Sequence, residues 1–404
     1  MRDAFLLDPD RVHLNHGSYG AVPRVVEEAQ RWQRDWVEAN PSHRIRYDVV
    51  ELVAQARATG AAFLDVEAES VALVPNVTHA VAVVLSSLAR QGRLRAGDVV
   101  VTSTHGYGAV RDAIRLWCSW TGATTVPVAH PVGASSDDVV EAFARALDTL
   151  ARQRRRVALV VVDAITSPTA TCLPVRRLTA VCRSAGALSL VDAAHVPGQL
   201  PDGPGESGAD FWTGAFHKWA FAARGTSALW ASEGERQDLA PLTTSWGHGS
   251  GFPGAFDAHG TDDYSAWLAL PDALAFWDEL GGDAIAVRAS ALLERVVPLV
   301  DSTIAALGMP RAPSALPASP APQMRLVPLP DDIGHTRESS DALIRDLGEQ
   351  GVETAVVPFE GRGYLRLSAA PYNEWHDYER LATVLSNVIA PGRTAAPAEV
   401  AHPR

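Results

Sequence analysis

Two stretches, LSLVDAAHVPGQL (188–200) and ADFWTGAFHKW (209–219), decide how this chain is read. Each holds an apolar run of strand length, and a Gly- and Pro-containing bend separates them. The first run closes on Asp192 and the second leads into His217-Lys218. In an open α/β sheet, ligands gather outside the carboxyl ends of the strands. An acid and an amine at two such ends are therefore candidates for one site. An aldehyde cofactor with a basic ring nitrogen requires both, the amine to condense with the aldehyde and the carboxylate to face the nitrogen. Plainer readings stand beside this one: a strand-terminal aspartate also forms turns, and most lysines are solvated charges.

Upstream, apolar runs alternate with helical periodicity. Strands are predicted at 71–74, 99–102, 124–128 and 157–163, and helices at 48–64, 77–88, 110–120, 137–150 and 176–184. That rhythm implies an α/β fold with a mostly parallel sheet and helices on both faces. A strand at 226–230, a loop-rich stretch over 243–258 and a helix at 264–280 follow. From residue 282 a smaller α+β unit is expected: helix 284–307, the linker PRAPSALPASPAP (310–322), strand 323–329, helix 339–350, strands 352–357 and 363–368, and helix 374–389. The organisation expected is an N-terminal segment lining the site (1–20), a large domain (21–281), a small C-terminal domain (282–390, with 1–50 able to pack on it) and a disordered tail (391–404).

Composition narrows the class. With 404 residues, 47% hydrophobic and 20% charged, the chain is ordinary globular protein of more than one average domain. A formal charge of −12 argues against nucleic acid or an anionic membrane as principal partner. The three cysteines, Cys118, Cys172 and Cys182, have no paired spacing, and no apolar stretch is long enough to span a bilayer. A cytoplasmic location is expected. His13 and His16 lack a completing carboxylate or cysteine set, so no metal is expected. Gly203-x-Gly205-x-x-Gly208 and Gly249-x-Gly251-x-x-Gly254 match a dinucleotide fingerprint as strings, but neither joins a strand end to a long helix.

Further candidates lie at other predicted strand ends and turns. Asn76-Val77-Thr78 opens a helix, where free N–H groups and the dipole favour an anion; a simple cap by Asn76 explains the same residues. Tyr107 follows a strand and could offer a flat face to a ring, or be a half-buried surface tyrosine. Ile165-Thr166-Ser167-Pro168-Thr169 is a polar turn or a ligand contact. His259-Gly260-Thr261 precedes a helix as a second anion turn or a second cap. Arg366 alternates with Leu365 and Leu367 and is either an edge-strand cation or a carboxylate clamp.

Taken together, Asp192-Ala193-Ala194-His195, His217-Lys218-Trp219, LNHGSYG (14–20), HGYGAVRDAI (105–114) and YLRLSAAPYN (364–373) resemble the fold-type I, class V aminotransferase superfamily. Within it the likeness is to the isopenicillin N epimerase-like branch, related to cysteine desulfurases and C–S lyases. The resemblance implies a pyridoxal 5'-phosphate enzyme with a mostly parallel, seven-stranded-type sheet. Lys218 would hold the aldehyde, Asp192 the ring nitrogen, and His195 the phenolic oxygen or ring edge. Asn76, Val77, Thr78 and His217 would bind phosphate. Tyr107 would cover the ring, Ser167 would face the cofactor, and Arg366, Asn15 and His16 would meet the substrate. Thr261 would reach the phosphate of the neighbouring subunit, which implies a homodimer. One departure is that the hydroxyl usual in desulfurases three residues before the lysine is Ala215 here, leaving Thr213 as a substitute.

The desulfurase route needs a cysteine on the loop before the carboxylate arginine, and none lies between Cys182 and Arg366. The reaction expected is C–S β-elimination from a cysteine conjugate, in bacterial secondary metabolism such as antibiotic biosynthesis. Epimerisation, with His16 as a second acid–base group, oxidative deamination or amino transfer, and a non-catalytic binding module are the alternatives.

Overall fold

Among the described residues twelve strands run in chain order as β1 (Val12–His13), β2 (Val71–Val74), β3 (Val99–Ser103), β4 (Thr124–Val128), β5 (Val157–Asp163), β6 (Leu188–Ala193), β7 (Phe211–Ala215), β8 (Ser227–Ala231), β9 (Met324–Pro328), β10 (Val352–Glu353), β11 (Ala355–Phe359) and β12 (Arg362–Ser368). This computed structural model describes residues 1–390; the tail expected to be disordered, 391–404, lies outside the described residues. Seven strands form one sheet in the order β2-β8-β7-β6-β5-β3-β4. Only β8 runs against its neighbours β2 and β7; the remaining pairs are parallel.

Every residue of β2, β3, β7 and β8 is buried, which explains why none of them carries a charged side chain. One face packs Val160, Val162, Val191 and Trp212 against helices that include Val49–Phe63, Ser136–Arg152 and Val175–Ser184. The other packs Leu159, Val161, Leu190 and Phe211 against helices Val77–Arg90 and Gly108–Thr121. Fully burying a Val or Leu contributes about 1.5–3 kcal/mol, so these two layers dominate the stability of the sheet.

A second sheet, β11-β12-β9, is antiparallel and packs on helices Ala284–Ala306, Arg337–Glu349 and Trp375–Ile389. Its core includes Val12 and Leu14, because β1 pairs in parallel with β10. The strand expected over 352–357 is therefore two. Val352–Glu353 pairs with the N-terminal segment, while Ala355–Phe359 turns to β12. The helix expected over 264–280 also divides, into Ser265–Leu268 and Leu270–Glu279, with Pro271 in the first turn of the second. Proline suits that position because its missing N–H would have no helical partner there. Neither glycine string joins a strand end to a long helix: the first encloses a turn at Pro204–Ser207, and the second ends in one at Gly254–Asp257. Among the described residues no helix is long and apolar enough to cross a membrane.

Candidate active site

The parallel strands end on one edge of the sheet, where β6 closes near Asp192 and β7 leads into Lys218. Asp163 of β5 lies opposite Asp192 of β6, which lies opposite Thr213 of β7. All three share the face that carries Leu190 and Phe211, the one covered by helix Val77–Arg90. The turn before that helix is an anion site by construction. The Asn76 side chain accepts from the His79 N–H at 2.9 Å, leaving the first amides of the helix directed outward.

Lys218 follows β7, and its Nζ lies 3.2 Å from Nε2 of His195. Burial lowers its ammonium to about 8, with Asp192 opposing and Arg366 adding. His195 is held well below its ordinary value by burial, then by Lys218, Arg366 and His217. Its Nδ1 accepts from the Trp219 indole at 3.3 Å, and its carbonyl from Gln199 at 2.8 Å. Asp192 Oδ1 accepts from the Ala194 N–H at 3.0 Å. Burial raises the Asp192 carboxyl, against that N–H and Lys218, and raises Asp163 further through burial and the Asp192 charge. An ionised Asp192 thus calls for a cation in front of it, such as a protonated ring nitrogen.

Arg366 is buried, at 5% exposure, and among the described residues it makes no ion pair. Its Nη1 donates to the Ser167 carbonyl at 2.5 Å and lies 3.3 Å from the Ser167 hydroxyl. Nη2 donates to Ser18 Oγ at 2.7 Å and reaches Asn15 Oδ1 at 3.4 Å, while Nε has no acceptor. Burial lowers this guanidinium to about 10; Tyr107 and Tyr19 act in the opposite direction. Both tyrosines are largely exposed, Tyr107 as the residue before helix Gly108–Thr121.

Several of the expected site residues are engaged with protein groups. His16 is wholly buried: its Nε2 meets the Lys218 carbonyl at 2.9 Å, and its Nδ1 meets the Tyr372 hydroxyl at 3.0 Å and the Ala21 N–H at 3.3 Å. Both ring nitrogens are engaged with protein groups. Thr213 donates its hydroxyl to the Ala228 carbonyl at 2.8 Å, spending the proton a phosphate would need. Ser167 holds Arg366. His217 Nδ1 meets the Thr226 carbonyl at 3.1 Å, and burial followed by Lys218 lowers the ring to about 4. Thr261 lies on the surface, after Gly260 at φ +86°.

Several contributors escaped the sequence reading. Asp163 closes its strand as Asp192 closes the next, so the strand-end rule itself would have found it. Ser18 sits inside LNHGSYG and Trp219 beside Lys218, yet neither residue type signals its role without a partner. His105 ties two site loops together: it stacks on His130 at 3.9 Å and meets Thr169 Oγ1 at 2.8 Å, linking the Tyr107 turn to the Ser167 turn.

This donor set fits pyridoxal phosphate. A weakened lysine suits an aldehyde, a buried acid suits a ring cation, a helix N-terminus suits a phosphate, and the orphaned Arg366 Nε suits a carboxylate. The aminotransferase class V family model matches residues 14–381. The chain belongs to the class V aminotransferase family. It is accordingly a pyridoxal phosphate-dependent enzyme. This class V enzyme is 31% identical over 412 residues to a putative L-cysteine desulfhydrase 1 of Oryza sativa subsp. japonica, covering 95% of this chain and 84% of the relative. It is also 31% identical over 409 residues to isopenicillin N epimerase of Streptomyces clavuligerus, covering 95% of this chain and 96% of that enzyme. Among solved structures, the cystine C–S lyase C-DES shares the fold, with TM-score 0.75 and 18% identity over 94% of this chain and 98% of the other.

Proposed function

We propose that this enzyme is a C–S lyase that converts L-cysteine or an S-substituted cysteine, with water, to pyruvate, ammonia and the corresponding thiol. The observation that carries this reading is the arrangement around the buried Arg366. Its guanidinium has an unsatisfied Nε and no acidic side chain paired with it among the described residues, and its charge adds to the burial that lowers the nearby Lys218. A buried cation of that kind calls for an anionic ligand, and an α-carboxylate on Arg366 brings the α-carbon towards the lysine amine. Relatives named L-cysteine desulfhydrase support the lyase reading, and the engagement of His16 favours it over epimerisation, which needs acid–base groups on both faces of the α-carbon. The three thiols are raised by burial to about 11, 11 and 12, so a cysteine persulfide route has no activated nucleophile.

When bound, pyridoxal phosphate supplies a ring that accepts electron density from the α-carbon. Lys218 would hold its aldehyde, Asp192 its ring nitrogen, and the amides of Val77 and Thr78 with His217 its phosphate. The chain does the rest. Arg366, steered by Ser18, Asn15 and Ser167, binds the carboxylate and sets which α-bond faces the site. Lys218 Nζ, free of its proton at mildly alkaline pH, takes the α-proton. Departure of the β-sulfur as thiol completes the elimination, and hydrolysis of the enamine product yields pyruvate and ammonia.

The working form proposed is a homodimer in which Thr261 serves the second copy's phosphate site. Support comes from the exposed Gly260-Thr261 turn and from Trp246, 97% exposed, next to Ser245, which packs against Gly260. A second copy covering this indole would remove its apolar face from water. Incubating the purified protein with L-cysteine and S-alkyl cysteines tests the reaction. Pyruvate and thiol in equal amounts support it, whereas deuterium exchange at the α-carbon without either product would establish epimerisation instead.

A further inference from the structure

We propose that Trp219 is a positioning residue that fixes the His195 imidazole as its Nε2–H tautomer, so that His195 confronts Lys218 as a hydrogen-bond donor. The argument starts from an asymmetry of types. An indole N–H only donates, and it points at His195 Nδ1 from 3.3 Å, so that nitrogen carries a lone pair. A neutral imidazole has one N–H, which must then sit on Nε2. That nitrogen lies 3.2 Å from Lys218 Nζ. Two donors cannot share a hydrogen bond, so the contact is satisfied only when the lysine is the free amine, offering its own lone pair.

The surroundings keep the ring neutral and in place. Burial is the first opponent of protonation at His195, and the Arg366 guanidinium adds to it. Lys218 in turn faces Asp192 and Arg366 in addition to His195. Trp219 is fully buried, its ring 4.9 Å from that of His16, and Gln199 holds the His195 backbone, so neither partner is free to swing away. The consequence deepens the lyase reading, on which it rests for the role of Lys218. The base in the site is the lysine, and His195 is a donor that favours its unprotonated form and can be offered to an oxygen acceptor beside it.

Nitrogen-15 NMR of the full chain labelled at histidine tests this, with and without pyridoxal phosphate, His195 being assigned from the signals missing in His195→Gln. The Nε2–H pattern is expected in wild type and a mixture of tautomers in Trp219→Phe. In parallel, the pH midpoint for reductive trapping of Lys218 by an aldehyde should rise by about one pH unit in Trp219→Phe, the worth of one hydrogen bond. An Nδ1–H pattern in wild type overturns the proposal, whether or not the variant folds. So does a Trp219→Phe protein with the wild-type pattern and midpoint. Neither readout needs substrate or turnover, so a protein that fails to release thiol would sink the lyase reading while leaving the tautomer assignment intact.

Discussion

The imidazole of His16 reaches the carbonyl oxygen of Lys218 through Nε2 at 2.9 Å, so the N-terminal segment holds the backbone of the lysine itself. The same ring accepts from Tyr372 and Ala21, joining three distant parts of the chain. His16→Ala leaves these buried groups unpaired, at about 1–3 kcal/mol for each group left wanting. A denaturant-midpoint shift equivalent to about 3 kcal/mol is expected, together with loss of bound cofactor. An unchanged midpoint would show the strut to be idle.

Gly20 follows at φ +68°, and a Cβ placed there would collide with the His217 carbonyl. Gly20→Ala is expected to cost about 3 kcal/mol or more, because strain and clash fall on backbone that cannot yield. Thermal unfolding of the variant measures this, and a melting temperature within a degree of wild type would contradict it.

Acid sensitivity follows from the buried histidines. His16 is lowered from 6.5 to about 3, His105 and His217 to about 4, and His195 well below its ordinary value, each chiefly by burial. A base depressed in the folded state binds protons preferentially when unfolded. The stability it contributes is complete above pH 6.5 and falls as pH drops through the window down to its folded value. The raised carboxyls of Asp163 and Asp192 act with the opposite sign, which makes the slope shallower than four histidines alone would give. Urea midpoints at pH 7, 5.5 and 4.5 should decline in that order; a flat series would mean that the rings are not neutral in the folded chain.

Arg366→Met should separate binding from stability. Loss of the charge-assisted contact with a carboxylate is expected to raise KM for cysteine by roughly 10²-fold. The cofactor-free protein should melt no lower than wild type, since a costly unpaired charge has gone. A KM within twofold of wild type would remove Arg366 from the substrate site.

Asp192→Asn tests the ring-nitrogen contact. With no anion to balance a protonated nitrogen, turnover should fall by roughly 10²-fold or more while Lys218 still binds the aldehyde. Full turnover in the variant would transfer the role elsewhere. Asp163→Asn should be nearly silent, because that carboxyl is already driven towards its neutral form.

The amino-acid sequence by itself determined the alternation of strands and helices, because apolar periodicity is a local property of consecutive residues. It also marked Asp192, Lys218, Asn76 and Arg366, since a strand end, a helix start and an alternating cation are visible within a few positions. It could not say which partner a run would choose: residues 352–357 look like one strand until β1 and β12 compete for them. Nor could it distinguish a histidine that faces a ligand from one that braces a backbone. Tertiary structure decided that His16 is spent on Lys218 and Tyr372, that Asp163 stands beside Asp192, and that Ser18 and Ser167 grip an arginine far along the chain. The reason is physical: a hydrogen bond or a burial cost depends on what lies within a few ångströms, and here those neighbours come from segments up to 356 residues apart.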